Sequence, residues 1–152
     1  MSTLEEMVPR AEQYSIDECF LDLTGIDGCE DFEHFGHRLR AHVLARTGLT
    51  IGIGSGPSKT LAKSAQWASK EWPQFRGVLA LTPGNPKRTE ALLMRQPVGE
   101  IWGVGRRIGK KLNLLGITNA LELARTHPAF IRKNFSVVLE RTVRELNGEA
   151  CI

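Results

Sequence analysis

The segment Thr82-Pro83-Gly84-Asn85-Pro86 constrains this chain most, because two prolines and a glycine within five residues end any element that reaches them. The patterns on its two sides differ. Before it, β-type runs alternate with helical periodicity; after it, every periodic segment is short and helical. The 152 residues therefore read as two small units, 1–84 and 85–152, the second leaning on the first.

In the first unit, β-type residues flank Asp17-Glu18 over positions 13–24, and Gly25 to Gly28 reads as a turn. Residues 1–12 read as a helix end or a loose leader. Phe32, Phe35, Leu39, Val43 and Leu44 recur at helical spacing over 31–46, and Gly48 ends that helix. Residues 49–54 read as a buried strand, 58–70 as a second helix and 77–81 as another strand. The order hairpin, helix, strand, helix, strand predicts an α+β fold with helices on one face of a sheet. In the second unit the spacing predicts helices near 87–95, 98–102, 106–115, 119–125, 128–134 and 137–147, with Gly103, Gly116 and Gly148 as stops.

Charge divides the chain as well. Residues 1–48 carry ten acids and four bases, a net −6; residues 49–152 carry sixteen bases and seven acids, a net +9. The asymmetry points to a polyanionic partner for the later part. No stretch approaches the ~20 apolar residues of a membrane span, and no basic-then-apolar leader opens the chain, which argues against membrane insertion and secretion. Cys19, Cys29 and Cys151 are odd in number and form no C-x-x-C, as expected of reduced thiols in a cytoplasmic protein.

Three constellations carry chemistry. Gly52, Gly54 and Gly56 precede Lys59-Thr60, but Ser58 stands where a P-loop needs glycine and Pro57 where a dinucleotide fingerprint needs its third glycine. These glycines read instead as a tight strand end. Lys59, Lys63 and Lys70 fall on one helical stripe, either a solvated face or a phosphate-binding one. Asp17-Glu18 is an exposed turn or, if a hairpin tip at 15–18 brings both carboxylates together, a site suited to Mg²⁺.

Ile101-Trp102-Gly103-Val104-Gly105-Arg106-Arg107-Ile108-Gly109-Lys110-Lys111 through Ile117 reads as a helix-hairpin-helix. Gly103, Val104 and Gly105 bring bare backbone to the tip, where a helix begins with its positive end, and Arg106, Arg107, Lys110 and Lys111 add charge. That suits sequence-independent binding to a DNA backbone; a structural αα-hairpin is the other reading.

Together these pieces resemble the Y-family translesion DNA polymerases, and most closely their UmuC branch. Tyr14-Ser15-Ile16-Asp17-Glu18 with Phe20-Leu21-Asp22 is similar to the palm motif. Thr50-Ile51-Gly52-Ile53-Gly54 with Ser58-Lys59-Thr60-Leu61-Ala62-Lys63 is similar to the next palm strand and helix, and 101–105 to the thumb hairpin. Residues 130–146 resemble the UmuC branch. The resemblance implies part of a ferredoxin-like palm (1–84) followed by an all-helical thumb (85–152).

It further implies catalytic Mg²⁺ ligation by Asp17 and Glu18, contact of Lys70 with the triphosphate of an incoming dNTP, and thumb contacts to primer-template and damaged DNA. Partners of the family would be a UmuD-type accessory subunit, RecA and the sliding clamp, with no membrane. The first metal Asp, the fingers and the little finger with its clamp-binding tail find no counterpart in the sequence. The chain is therefore expected to be a palm-thumb fragment without polymerase activity of its own. The segment Glu71-Trp72-Pro73-Gln74-Phe75-Arg76-Gly77 departs from the family's short Pro-Asn-Gly.

Overall fold

Side chains alternate between the two faces of a strand, and this alternation decides how the first half packs. The computed structural model describes residues 10–13, 19–22, 29–48, 51–82 and 84–152. Strands β1 (Arg10–Gln13) and β2 (Cys19–Asp22) pair antiparallel, Arg10 opposite Asp22 and Gln13 opposite Cys19. The expected hairpin strands are present, but the first begins at Arg10, within the stretch expected to be a helix end or leader. Asp17 and Glu18, the turn at 25–28 and residues 1–9 lie outside the described residues.

Helix α1 (Cys29–Thr47) leads to β3 (Ile53–Ser55), α2 (Lys59–Glu71), a 3-10 turn (Pro73–Phe75) and β4 (Val78–Ala80). β3 and β4 are parallel, with Ile53 opposite Val78 and Gly54 opposite Leu79. A Cβ on Gly54 would run into the α2 backbone at Ala62 and Gln66, so α2 covers that face. On the other face a Cβ on Gly36 of α1 would stand 2.7 Å from Val78 Cγ1. The two helices thus lie on opposite faces of this pair, not on one face as expected. The run Val78-Leu79-Ala80-Leu81 is buried at every position, which is the pattern of a parallel strand covered on both sides.

The second half is α3 (Pro86–Arg95), a 3-10 turn (Val98–Glu100), α4 (Arg106–Leu114), α5 (Ala120–Ala124), α6 (Pro128–Asn134) and α7 (Val137–Leu146). The helix expected over 98–102 is only a three-residue turn. The N–H of Val98 is bonded to Thr118 O (3.1 Å) in a bridge between Pro97 and Asn119, which leaves too few residues before Gly103 for an α-helix. One apolar core joins the halves. Leu61, Ala65, Leu79 and Leu81 of the first pack with Leu93, Ile101, Leu112 and Val143 of the second. Among the described residues no helix is long and apolar enough to cross a membrane.

Glu145 of α7 is fully buried at this junction. One carboxylate oxygen accepts Thr60 N of α2 at 2.9 Å; the other accepts Cys151 N at 2.7 Å and Ile152 N at 3.2 Å. Ser58 donates to the backbone carbonyl of Glu145 at 2.6 Å while accepting Leu61 N as the α2 N-cap. Hydrogen bonds to a buried charged acceptor contribute about 1.5–3 kcal/mol each. Glu145→Ala is therefore expected to lower the unfolding free energy by about 3–5 kcal/mol, and Glu145→Gln by less, read from urea unfolding midpoints.

Glu122 of α5 is exposed. It accepts Thr118 Oγ1 at 2.7 Å, Thr118 N at 3.0 Å and Asn119 N at 3.3 Å. These bonds, the Thr118 hydroxyl first, hold its carboxyl below the usual carboxylate range. A depressed folded-state pKa stabilises the fold above the unfolded value, and the contribution is lost as pH falls through the folded one. Glu122→Gln should flatten that part of an acid-unfolding profile; an unchanged profile would refute the assignment.

Candidate nucleic-acid interface

The first turn of any α-helix presents N–H groups without intrahelical partners. In α2, α3, α5, α6 and α7 a polar side chain of the N-cap residue accepts one of them: Ser58, Asn85, Asn119, His127 and Ser136. In α4 the N-cap is Gly105, which has no side chain to offer. The first α4 amide to find a backbone carbonyl is Gly109 N, on Gly105 O at 2.9 Å. The N–H groups of Arg106, Arg107 and Ile108 therefore stand at a bare positive helix end.

The tip is held by its neighbours. Ile101 and Val104 are buried in the core, and Val104 N bonds Ile101 O at 3.0 Å. Gly103 between them has φ +88°, which an L side chain rarely adopts. Gly105 has φ −80°, and a Cβ built on it meets nothing within 4 Å. Gly103 is thus needed for the turn itself, whereas Gly105 leaves open space in front of the helix end. Gly116, at φ +83°, closes the other end of α4, with Ile117 N bonded to Leu112 O at 3.0 Å.

The expected cations separate into two groups. Arg106, Arg107 and Lys110 are exposed, and their side chains make no hydrogen bond or ion pair among the described residues. Lys111 is tied back: its Nζ donates to Asn134 O at 3.0 Å and lies 4.6 Å from the Phe135 ring centroid. Its ammonium therefore also fastens α4 to the end of α6. Val104, expected at the interface, offers only its backbone, because its side chain is buried.

The lysine stripe of α2 is also uneven. Lys63 Nζ donates to Gln66 Oε1 at 2.7 Å, and Gln66 Nε2 donates to Gly52 O at 3.0 Å. Lys59 is half-buried, and Lys70, at the C-terminal end, is exposed. The stem of Lys70 crosses Gly52. Sequence reading places Lys70 correctly at a helix end but gives no sign of its contact with Gly52, eighteen positions earlier. Among the described residues no cluster of three or more His, Cys, Asp or Glu is arranged to hold a metal. Asp17 and Glu18 lie outside them.

Comparison with known proteins bears on both halves. Residues 1–66 match the impB/mucB/samB family, and residues 86–117 match the IMS family HHH motif. Protein SamB of Salmonella typhimurium is 74% identical over 152 residues, which are 100% of this chain and 36% of that protein. Protein UmuC of Salmonella typhimurium strain LT2 is 57% identical over 153 residues, with 100% of this chain and 36% of that protein covered. The chain thus spans about a third of the length of these relatives. A crystal structure of DinB from Sulfolobus solfataricus superposes with a TM-score of 0.77 at 24% identity, covering 100% of this chain and 44% of that one. An insertion ternary complex of Dbh DNA polymerase has the same TM-score of 0.77 at 24% identity, covering 100% and 43%. The two family matches fall on the strand-and-helix half and on the hairpin, and on both grounds the chain belongs to the impB/mucB/samB family of Y-family polymerases, in its UmuC branch.

Proposed function

We propose that this chain is the palm-thumb part, 1–84 and 85–152, of an error-prone translesion DNA polymerase of SOS mutagenesis and DNA repair. It would add nucleotides to a primer 3′ end opposite damaged template. The observation that carries the DNA-binding half of this reading is the uncapped start of α4. Three backbone N–H groups, an open glycine before them and three exposed cations within the first five residues of the helix lie at this end. A phosphate docks there through backbone and charge, with no base contact, so sequence and lesion are both ignored.

The catalytic half rests on Asp17, Glu18 and Lys70. Two hard oxygen donors suit Mg²⁺, which fills its other positions with water and substrate phosphate. When bound, the ion supplies Lewis-acid stabilisation of transferring phosphoryl oxygens. Asp17 and Glu18 would hold it, and the exposed ammonium of Lys70 would neutralise part of the triphosphate of the dNTP. A second reading, a non-catalytic and sequence-independent DNA-binding remnant, is favoured by the α4 tip, whose exposed N–H groups and cations all come from the consecutive residues 103–110.

Two experiments test these readings, and the second separates them. Fluorescence anisotropy on a labelled primer-template should show binding indifferent to sequence. With Arg106, Arg107 and Lys110 each neutralising a phosphate, its log–log salt slope should be roughly −2 to −3. Gly105→Val should weaken binding without loss of fold, because its Cβ meets nothing in the free protein. Gly103→Val should also lower stability, by about 1–2 kcal/mol, because of its positive φ. A folded Gly105→Val variant that binds as the parent does would overturn the tip assignment.

In a full-length polymerase carrying this chain, Asp17→Ala or Glu18→Ala should abolish nucleotide addition and leave DNA affinity nearly unchanged. Primer extension at the parental rate would retire the polymerase reading of the pair and leave the binding reading standing.

A further inference from the structure

Three glycines line the face of β3 and its flanks that looks onto α2, and their surroundings are not alike. A Cβ on Gly54 would strike the α2 backbone at Gln66 N and Ala62 O and come within 2.7 Å of Ala65 C. A Cβ on Gly56 would come within 2.9 Å of Ala62 N and 3.0 Å of Leu61 C. Main chain cannot move aside, so both glycines serve the close approach of helix and strand. Gly52 differs. Its nearest neighbours would be Lys70 Cε at 2.6 Å and Lys70 Cγ at 2.8 Å, followed by Ser69 Oγ at 3.1 Å. Gly52 is buried, and what buries it is in part the aliphatic stem of an exposed lysine.

The backbone of Gly52 is fixed from the same helix. Gln66 donates to its carbonyl at 3.0 Å and accepts Lys63 Nζ at 2.7 Å. Ser69 Oγ is turned onto Gln66 O at 2.7 Å. The platform under the Lys70 stem therefore has its own hydrogen bonds and does not depend on the lysine.

We propose that Gly52 is a positioning residue for Lys70: its missing side chain lets the lysine stem lie against bare backbone, which fixes where the ammonium meets an anionic ligand, the polyphosphate of a nucleotide. This rests on the reading of Lys70 as a phosphate contact. A methyl group at position 52 meets side-chain atoms only, the Lys70 stem and Ser69 Oγ, so it costs the fold less than one at Gly54; the stem swings away, and the swing releases the ammonium from its place. A long exposed side chain that is not held loses affinity to its own rotamer entropy. The same methyl at Gly54 has no such escape and damages the fold itself.

The test uses this chain, Gly52→Ala, Lys70→Ala, the double variant and Gly54→Ala. In the parent chain, NMR should show cross-relaxation between the Gly52 Hα protons and the Lys70 stem; its absence overturns the placement. Tripolyphosphate is then titrated with Mg²⁺ present and followed by lysine Cε shifts. Lys70→Ala should weaken binding about two- to five-fold, the range for one exposed charge. Gly52→Ala should weaken it by a similar factor with a urea midpoint lowered far less than that of Gly54→Ala. In the Lys70→Ala background, Gly52→Ala should add nothing, because both act through one ammonium. Gly54→Ala should lower the urea midpoint sharply.

Parental affinity in Gly52→Ala, with a loss in Lys70→Ala, overturns the positioning role and leaves Lys70 as a phosphate contact. Parental affinity in Lys70→Ala, or no binding by the parent, overturns the phosphate role itself. Additive losses in the double variant show that Gly52 acts by another route and also refute the proposal.

Discussion

The carboxylate of Glu145 is the interaction on which the arrangement of the two halves depends. It is buried without a cationic partner among the described residues, and its charge is met by backbone N–H groups: Thr60 at the start of α2, and Cys151 and Ile152 at the end of the chain. Apolar packing across the junction is non-directional and would tolerate sliding. A buried carboxylate bonded on both oxygens does not, because any shift strands a charge in a low-dielectric interior. The core supplies attraction between the halves, and Glu145 fixes the register at which they meet.

That carboxylate also decides which helix ends are left for other anions. A helix N-terminus attracts negative charge wherever it is accessible. At α2 the place is taken, by Glu145 on Thr60 N and by Ser58 on Leu61 N. The starts of α3, α5, α6 and α7 are each closed by a side-chain cap. Only α4, among the helices whose N-caps are described, has no side-chain cap on its first-turn N–H groups. An N-cap is worth about 1 kcal/mol, so a glycine there leaves α4 less stable than a polar residue would. The surrounding core offsets this: Leu112 is fully buried, and Ile101 and Val104 anchor the turn from below.

Most element positions are legible in the sequence because local rules set them. Pro and Gly at 82–86 stop one pattern and start another, and apolar spacing with polar caps gives α3 and α5 to α7 to within a residue or two. The α4 tip is legible for the same reason, since it is built from consecutive residues. What depends on distant partners is not. The two-sided cover of β4 follows from which strand lies beside it, although the unbroken run Val78-Leu79-Ala80-Leu81 carries the signal. The burial of Glu145 has no local sign, because it stands beside Leu146 in a helix that otherwise exposes Arg141 and Arg144. The commitment of Lys111 to Asn134 and Phe135 is equally non-local, and it separates one base of the Arg106 to Lys111 cluster from the rest.

The two proposed anion contacts use opposite physics, and glycine serves both. At α4 the proposed contact is the backbone itself, so a glycine must leave the approach open, and affinity would be spread over N–H groups that have no preferred partner along a DNA strand. At α2 the proposed contact is a side chain at the C-terminal end of the helix, where the dipole favours a cation. Open space would not help there, because a solvated lysine already samples many rotamers. What a lysine lacks is a surface to lie on, and a glycine at the edge of a strand supplies one without intruding. A duplex backbone that slides past the thumb suits the first arrangement, and a polyphosphate that must arrive in one orientation suits the second.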